Sequence, residues 1–259
     1  MTGTMAGQCQ EPVVDLWRNP IRVRGVRGGM EHSFRPGHRG TGPGVITPDG
    51  CGVELYTRLA IADEPNIIAG AVSPGARILE LGSGAGRMTH PLIERGFELT
   101  CVDESAEMLE RIHGARTVGS TIENLDLAET FDVVMLASFL VHAADPAERQ
   151  ALLETCRRHV ATDGCVLIQR EGEGWHENLP RVRENGDGVV RVVSSEPVRE
   201  GVRSVYVEYD HPDGIWSQTF LSRPLSTEEF ENALAAADLA VDAYLTDDGV
   251  WVRAVRRRT

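Results

Sequence analysis

Three glycines stand on alternate positions, Gly82, Gly84 and Gly86, directly after the apolar run RILEL and before MTHPLIERG, which Gly96 closes. The first run reads as a buried strand and the second as a helix, which puts the glycines in a strand-to-helix turn. Glycine accepts positive φ and lets a ligand approach the backbone, while the helix start beyond it offers free N–H groups. Asp103, about 20 residues after Gly82, ends the next apolar run, where a carboxylate is placed to hydrogen-bond ribose hydroxyls. Turn and acid together describe a site for a ligand that contains a nucleoside.

A second group could act on an acceptor. His142, a few residues past the run FDVVMLAS, is placed to serve as a general base. The segment REGEGWHENL puts Glu171, Glu173, Trp175 and His176 at the end of a later strand. Carboxylates beside an aromatic ring suit a cationic amine. His142 and Glu171 are therefore the candidate catalytic residues.

These residues need a scaffold. From residue 77 apolar strands alternate with helical stretches: a strand near 116–119, FDVVMLAS as a central strand, a helix near 146–160, then GCVLIQR. Parallel strands need crossover helices, so the alternation predicts an α/β fold with a doubly wound, mostly parallel sheet. In residues 188–222 alternation dominates, with turns at REG and HPDG, which predicts an antiparallel two- or three-strand insert over the site. Tyr206 and Tyr209 lie three apart there, so a regular strand turns only one of them into the cleft. Ser226–Glu229 forms a capping box opening TEEFENALAAADL, and AVDAYL and VWVRAVR close the chain as a hairpin. Residues 1–48, rich in Gly, Arg and Pro without a sustained period, are expected to form an arm or lid, and 49–259 the main domain.

Composition narrows the chemistry. All 26 basic residues are arginine, so Schiff-base and P-loop lysine mechanisms are excluded. The net charge of −13 argues against broad nucleic-acid binding. It is uneven: residues 1–48 carry six arginines against three acids, giving +3 there and leaving −16 for residues 49–259. No run approaches about 18 apolar residues and no signal peptide is apparent, so a cytoplasmic chain that spans no membrane is expected. The five cysteines form no C-x-x-C pair, which argues against disulfides and a zinc site, and no metal is expected.

A dinucleotide turn requires a small sixth residue in G-x-G-x-x-G/A, and that position holds Arg87. The run ELGSGAG with its following V-D resembles instead the first motif of class I S-adenosylmethionine-dependent methyltransferases. The resemblance covers residues 50–172 closely and the rest in outline. It implies a Rossmann-like, seven-stranded sheet with a C-terminal antiparallel hairpin, and S-adenosylmethionine as the cofactor, leaving S-adenosylhomocysteine. It also implies that Glu80, Gly82, Ser83, Gly84 and Gly86 line the methionine and ribose portions and that Asp103 takes the ribose hydroxyls. Met108 or Glu104 should border the adenine. Where many members have an acid at the adenine amine, this chain has Thr121 and Ile122, so Glu123 or a backbone carbonyl is expected to substitute. Leu136, Ala137 and Ser138 should face the sulfonium, and Tyr56 the cofactor carboxylate. More narrowly, VITPDGCGVELYTRL is similar to the segment before this motif in actinobacterial natural-product methyltransferases, including those of daptide ribosomal-peptide clusters, which dimethylate a terminal amine. The expected function is methyl transfer to an amine nitrogen of a small molecule or short peptide by a monomer or homodimer. The alternatives are O-methylation with His142 as base and a non-catalytic cofactor-binding protein.

Overall fold

The computed structural model describes residues 33–257. Its seven-stranded sheet runs β11-β12-β6-β5-β2-β3-β4. The strands are β2 (Arg77–Leu81), β3 (Glu98–Asp103), β4 (Arg116–Gly119), β5 (Phe131–Leu136), β6 (Val160–Gln169), β11 (Leu239–Tyr244) and β12 (Trp251–Arg256). The pairs among β4, β3, β2, β5 and β6 are parallel, whereas β12 and β11 add an antiparallel hairpin. The fold is thus α/β and Rossmann-like. Strand order reverses on either side of β2.

Both faces of this sheet are covered, which is why its strands are continuously apolar. On one face Leu79, Leu81, Val134, Leu136, Val166 and Ile168 pack against α5 (Pro146–His159) and α6 (Thr227–Ala236). On the other, Ile78, Leu99, Cys101, Val133 and Met135 pack against α2 (Glu64–Ala71) and α3 (Thr89–Glu94). Each fully buried Leu or Ile contributes about 1.5–3 kcal/mol of transfer free energy. α5 starts at Asp145, whose carboxylate accepts the Ala147 N–H ahead of Pro146, and α6 starts in the expected capping box of Ser226 and Glu229. α2, which the sequence reading did not anticipate, also carries proline in its first turn.

The antiparallel insert is larger than residues 188–222. It is a five-stranded sheet ordered β1-β10-β9-β8-β7, from β1 (Arg39–Thr41), β7 (Arg181–Asn185), β8 (Gly188–Arg199), β9 (Val202–His211) and β10 (Gly214–Ser222). Of the segment read as an arm, residues 1–32 lie outside the described residues, while Arg39, Gly40 and Thr41 pair with Thr219, Gln218 and Ser217. Its inner face, Val190, Val205, Val207, Tyr209 and Trp216, packs on Leu55 of the short helix α1 (Val53–Tyr56) and on Trp175. The sheet is a roof over the carboxyl ends of the core strands. Among the described residues no helix is long and apolar enough to cross a membrane.

Candidate functional site

Adjacent strands lie about 4.8 Å apart, so the ends of β6, β5, β2 and β3 set Glu171, Ser138, Gly82 and Asp103 along one edge of the sheet. All three glycines of the turn take positive φ: +70° at Gly82, +55° at Gly84 and +85° at Gly86. The N–H groups of Gly82 and Ser83 both donate to the Val102 carbonyl, at 2.9 Å each. Asp103 clamps the turn: Oδ2 accepts the Gly84 N–H at 2.8 Å and Oδ1 the Ser105 N–H at 2.9 Å. Burial raises its pKa, against the pull of those two donors. A Cβ on Gly82 would strike Leu140 at 2.8 Å, whereas one on Gly84 would meet nothing nearer than Tyr56 at 3.6 Å. The turn at Gly84 is therefore a cradle open to a ligand, with Tyr56 as its far wall.

Glu80 sits behind this cradle. It is 3% exposed and accepts a hydrogen bond from Thr89 Oγ1 at 2.6 Å. Burial pushes its carboxyl pKa up to about 7, opposed by Thr89 and Arg87 and reinforced by Asp103. Its folded pKa thus lies above its unfolded value, so the folded state binds the extra proton between the two. Stability is greatest below the unfolded value of 4.5 and falls as pH rises towards 7, by on the order of 3 kcal/mol in all. Thermal midpoints of Glu80→Gln measured from pH 5 to 7.5 should lose this slope; a slope equal to that of the parent would assign the titration elsewhere.

Met108, buried on the one-turn helix α4 (Ala106–Leu109), packs with Ala85, Val53, Cys51 and Tyr56 beside the turn. Glu104 is exposed and paired with Arg35 at 2.8 Å, so its charge is taken up by the segment that leads into β1. Thr121, Ile122 and Glu123 are half-buried; Ile122 packs on the core and reaches the space over Gly82, at 3.6 Å from a Cβ placed there. Leu136 and Ala137 are buried in the core, on opposite faces of the sheet.

Tyr56 belongs to a polar wall that the sequence reading passed over. Cys51 Sγ lies 3.1 Å from the Tyr56 hydroxyl and 3.2 Å from Asp49 Oδ2, and accepts the Gln218 Nε2–H at 3.1 Å. Burial, then the neighbouring Cys51, holds the Tyr56 phenol well above its ordinary pKa. Tyr209 packs in the same cluster as Tyr56, whereas Tyr206 turns away and donates to Glu208. The signal available in the sequence was the two-residue alternation placing Trp216, Gln218, Phe220 and Ser222 on one face of β10.

Past β5, Ser138 and Phe139 both hold positive φ, 54° and 61°, a strained conformation for residues with side chains. The Gln169 side chain accepts the Ser138 N–H at 2.9 Å and helps hold the turn. It projects Phe139 towards Trp175, 6.1 Å between ring centres. His142, read in the sequence as placed to serve as a base, is 3% exposed. Its Nδ1–H donates to the Arg223 carbonyl at 2.9 Å and its Nε2 accepts the Glu171 N–H at 2.9 Å. Burial lowers its pKa, with the Glu171 carboxylate acting against the shift. In this geometry the lone pair that base catalysis would use accepts a backbone amide N–H.

Glu171 also turns inward rather than to solvent. Oε2 accepts from His176 Nε2 at 2.8 Å and lies 3.3 Å from His142 Nδ1, while Oε1 accepts from Ser222 at 2.7 Å. Burial alone would raise its pKa, but the His176 hydrogen bond, both histidines and Ser222 outweigh it and hold the carboxylate below its usual range. His176 is oriented in turn by Ser195 Oγ at 2.7 Å, which accepts from Arg203 Nε at 2.7 Å. A cleft of about 450 Å³ opens here, lined by His142, Glu171, Glu173, Trp175, His176 and Arg203 among others. A larger one of about 580 Å³ lies at the opposite end of the sheet, by Gly75, Asp132 and Gly164, away from this chemistry. Among the described residues no cluster has the makeup of a metal site.

The family description "Methyltransferase domain" matches residues 78–164. An uncharacterized methyltransferase of Mycobacterium tuberculosis is 33% identical over 160 residues, covering 59% of this chain and 62% of the relative, so the chain spans about three fifths of that relative's length. Over a shorter stretch, 36% of this chain and 40% of the relative, the chain is also 34% identical to a ubiquinone biosynthesis O-methyltransferase of a Caulobacter species. Among solved structures, an S-adenosylmethionine-dependent methyltransferase of Clostridium acetobutylicum superposes with a TM-score of 0.64 at 14% identity, covering 79% of this chain and 97% of that one. The sugar N-methyltransferase KedS8 of a Streptoalloteichus species does so with 0.57 at 23% identity, covering 75% and 85%.

Proposed function

We infer that the chain is a class I S-adenosylmethionine-dependent methyltransferase, with residues 78–164 as its methyltransferase domain, and that its acceptor is an amine nitrogen of a small molecule or short peptide in natural-product biosynthesis. The observation that carries this reading is the glycine turn locked to Asp103 through the Gly84 N–H, which leaves a cradle open above the backbone. S-adenosylmethionine supplies an electrophilic methyl group there and leaves as S-adenosylhomocysteine. Asp103 has lone pairs left for ribose hydroxyls beyond those its two backbone donors use, Met108 and Ile122 offer apolar surface to the adenine, and Tyr56 walls the methionine end.

On the acceptor side the chain's own task is to align a nitrogen lone pair and exclude water, which for well-oriented pairs is worth about 7–11 kcal/mol. Phe139 and Trp175 supply the apolar walls, and the Glu171 carboxylate favours the positive charge that the nitrogen gains. A hydroxyl acceptor needs a base, and both ring nitrogens of His142 are already engaged. The kinship of fold with a sugar N-methyltransferase agrees with this choice.

The test is cofactor consumption with panels of primary amines and of alcohols, using the parent and His142→Ala. Amines should be turned over, with a rate that climbs with pH as their neutral fraction grows. The variant should keep that profile while losing about 1–3 kcal/mol of stability, because the Glu171 N–H and the Arg223 carbonyl lose their partner. Turnover confined to alcohols, with a drop of about 10²-fold or more and a lost pH limb in His142→Ala, would restore the O-methylation alternative.

A further inference from the structure

We propose that the inner edge of the roof, at Arg181 and Arg183, binds an anionic group, a carboxylate or a phosphate, carried by the acceptor molecule. The inference rests on the acceptor-side reading above and adds a substrate class to it. β7 shows no apolar alternation, because its inward positions are Arg181, Arg183 and Asn185. Alternate residues of a strand share a face. Asn185 shows which face that is: its side chain accepts the Ala60 N–H at 2.8 Å and donates back to the Ala60 carbonyl at 3.3 Å, so this face turns towards the body of the protein.

Arg181 meets the acceptor wall, and Arg183 lies on the same face two residues along. Arg181 sets its guanidinium carbon 5.5 Å from the centre of the Trp175 ring, the same ring that Phe139 approaches at 6.1 Å from the strained turn after β5. Arg183 pairs across the sheet with Val190, and Val190 with Tyr209, both buried on the roof's inner face. Consistent with that row, Arg183 and Arg87 both oppose the burial that raises the Tyr209 phenol pKa.

In an acidic protein, Arg181 and Arg183 are among the described arginines that meet no counter-charge. Arg58, Arg77, Arg87, Arg116, Arg191 and Arg253 each meet a carboxylate. Among the described residues Arg181 and Arg183 meet none, although the chain carries 39 acids against 26 arginines. Both stay exposed at the mouth. Two guanidinium forks two residues apart on a strand stand about 6.6 Å apart at their Cα atoms, a spacing that lets them converge on the oxygens of one anionic group. The acceptor then has a nitrogen near Phe139 and Glu171 and an anionic group on the far side of Trp175.

Titration calorimetry of the full chain at low ionic strength, with sodium pyrophosphate and separately with N-acetylglycine, tests this without reading methyl transfer. The parent should bind at least one of the two anions, and whichever binds identifies phosphate or carboxylate as the source. Arg181→Gln/Arg183→Gln should weaken that binding about tenfold or more, with each single variant in between. Arg191→Gln removes the same charge from the opposite face of the roof, where Arg191 sits across from Val182, and should change affinity by less than about twofold. Undiminished binding in the double variant, an equal loss in Arg191→Gln, or no binding of either anion by the parent at about 10 mM would overturn the proposal. Any of those results leaves the methyltransferase reading standing, since that reading fails only in the cofactor-consumption assay.

Discussion

Gly84→Val should bind no S-adenosylmethionine at concentrations that saturate the parent, while remaining folded. There is room for a Cβ at this position, with Tyr56 the nearest atom at 3.6 Å, so the added side chain goes into the cradle rather than into the core. Holding φ near +55° costs a side-chain-bearing residue roughly 1–2 kcal/mol, more for a β-branched one, and the thermal midpoint should drop by only a few degrees. Gly82→Val is the contrasting case, because its Cβ meets Leu140 at 2.8 Å and disturbs packing directly. Calorimetric titration with the cofactor, beside a thermal melt, reads both quantities. Undiminished affinity in a folded Gly84→Val protein would mean that the turn is structural and that the ligand lies elsewhere.

Glu171→Ala should be the most destabilising single change at the site, by about 3–5 kcal/mol, because it strips a buried cluster of its only carboxylate. His176, His142 and Ser222 all converge on that group. Glu171→Gln keeps an acceptor oxygen and most of the shape, so it should recover much of the midpoint. Its turnover with amines should nevertheless stay about 10²-fold below the parent, since a neutral amide does little for a nitrogen becoming cationic. Parent-like turnover in a folded Glu171→Gln protein would reduce Glu171 to a structural role and leave Phe139 and Trp175 as the acceptor's main contacts.

The glycine turn and its acid were legible because they rest on local rules. RILEL and FDVVMLAS are apolar at every position since both faces of their strands are covered, and a glycine turn followed by an acid at the end of the next strand is a short-range pattern. The acceptor side depends on contacts between distant segments. His142 reads as a free base in its own neighbourhood, yet it is engaged by the carbonyl of Arg223, 81 residues away, and by the amide of Glu171. β7 escaped notice because its inward face is charged, and β1 because three residues become a strand only through β10. α2 was missed for its brevity: eight residues show little more than two turns of periodicity.

β1 has a further meaning in the order of events during synthesis. Thr41 meets Ser217 across 176 residues of sequence, so its partner strand does not exist until most of the protein has been translated. The parallel strands β2, β3, β4 and β5 and their crossover helices are all made before any strand of the roof after β1, and their pairings span much shorter stretches. Contacts of long sequence separation are the slow ones to close. The glycine turn and Asp103 therefore come off the ribosome within a nearly complete sheet half, while the wall of Tyr56, Cys51 and Gln218 waits for β10. The two sides of the proposed site are made in sequence, the glycine turn first.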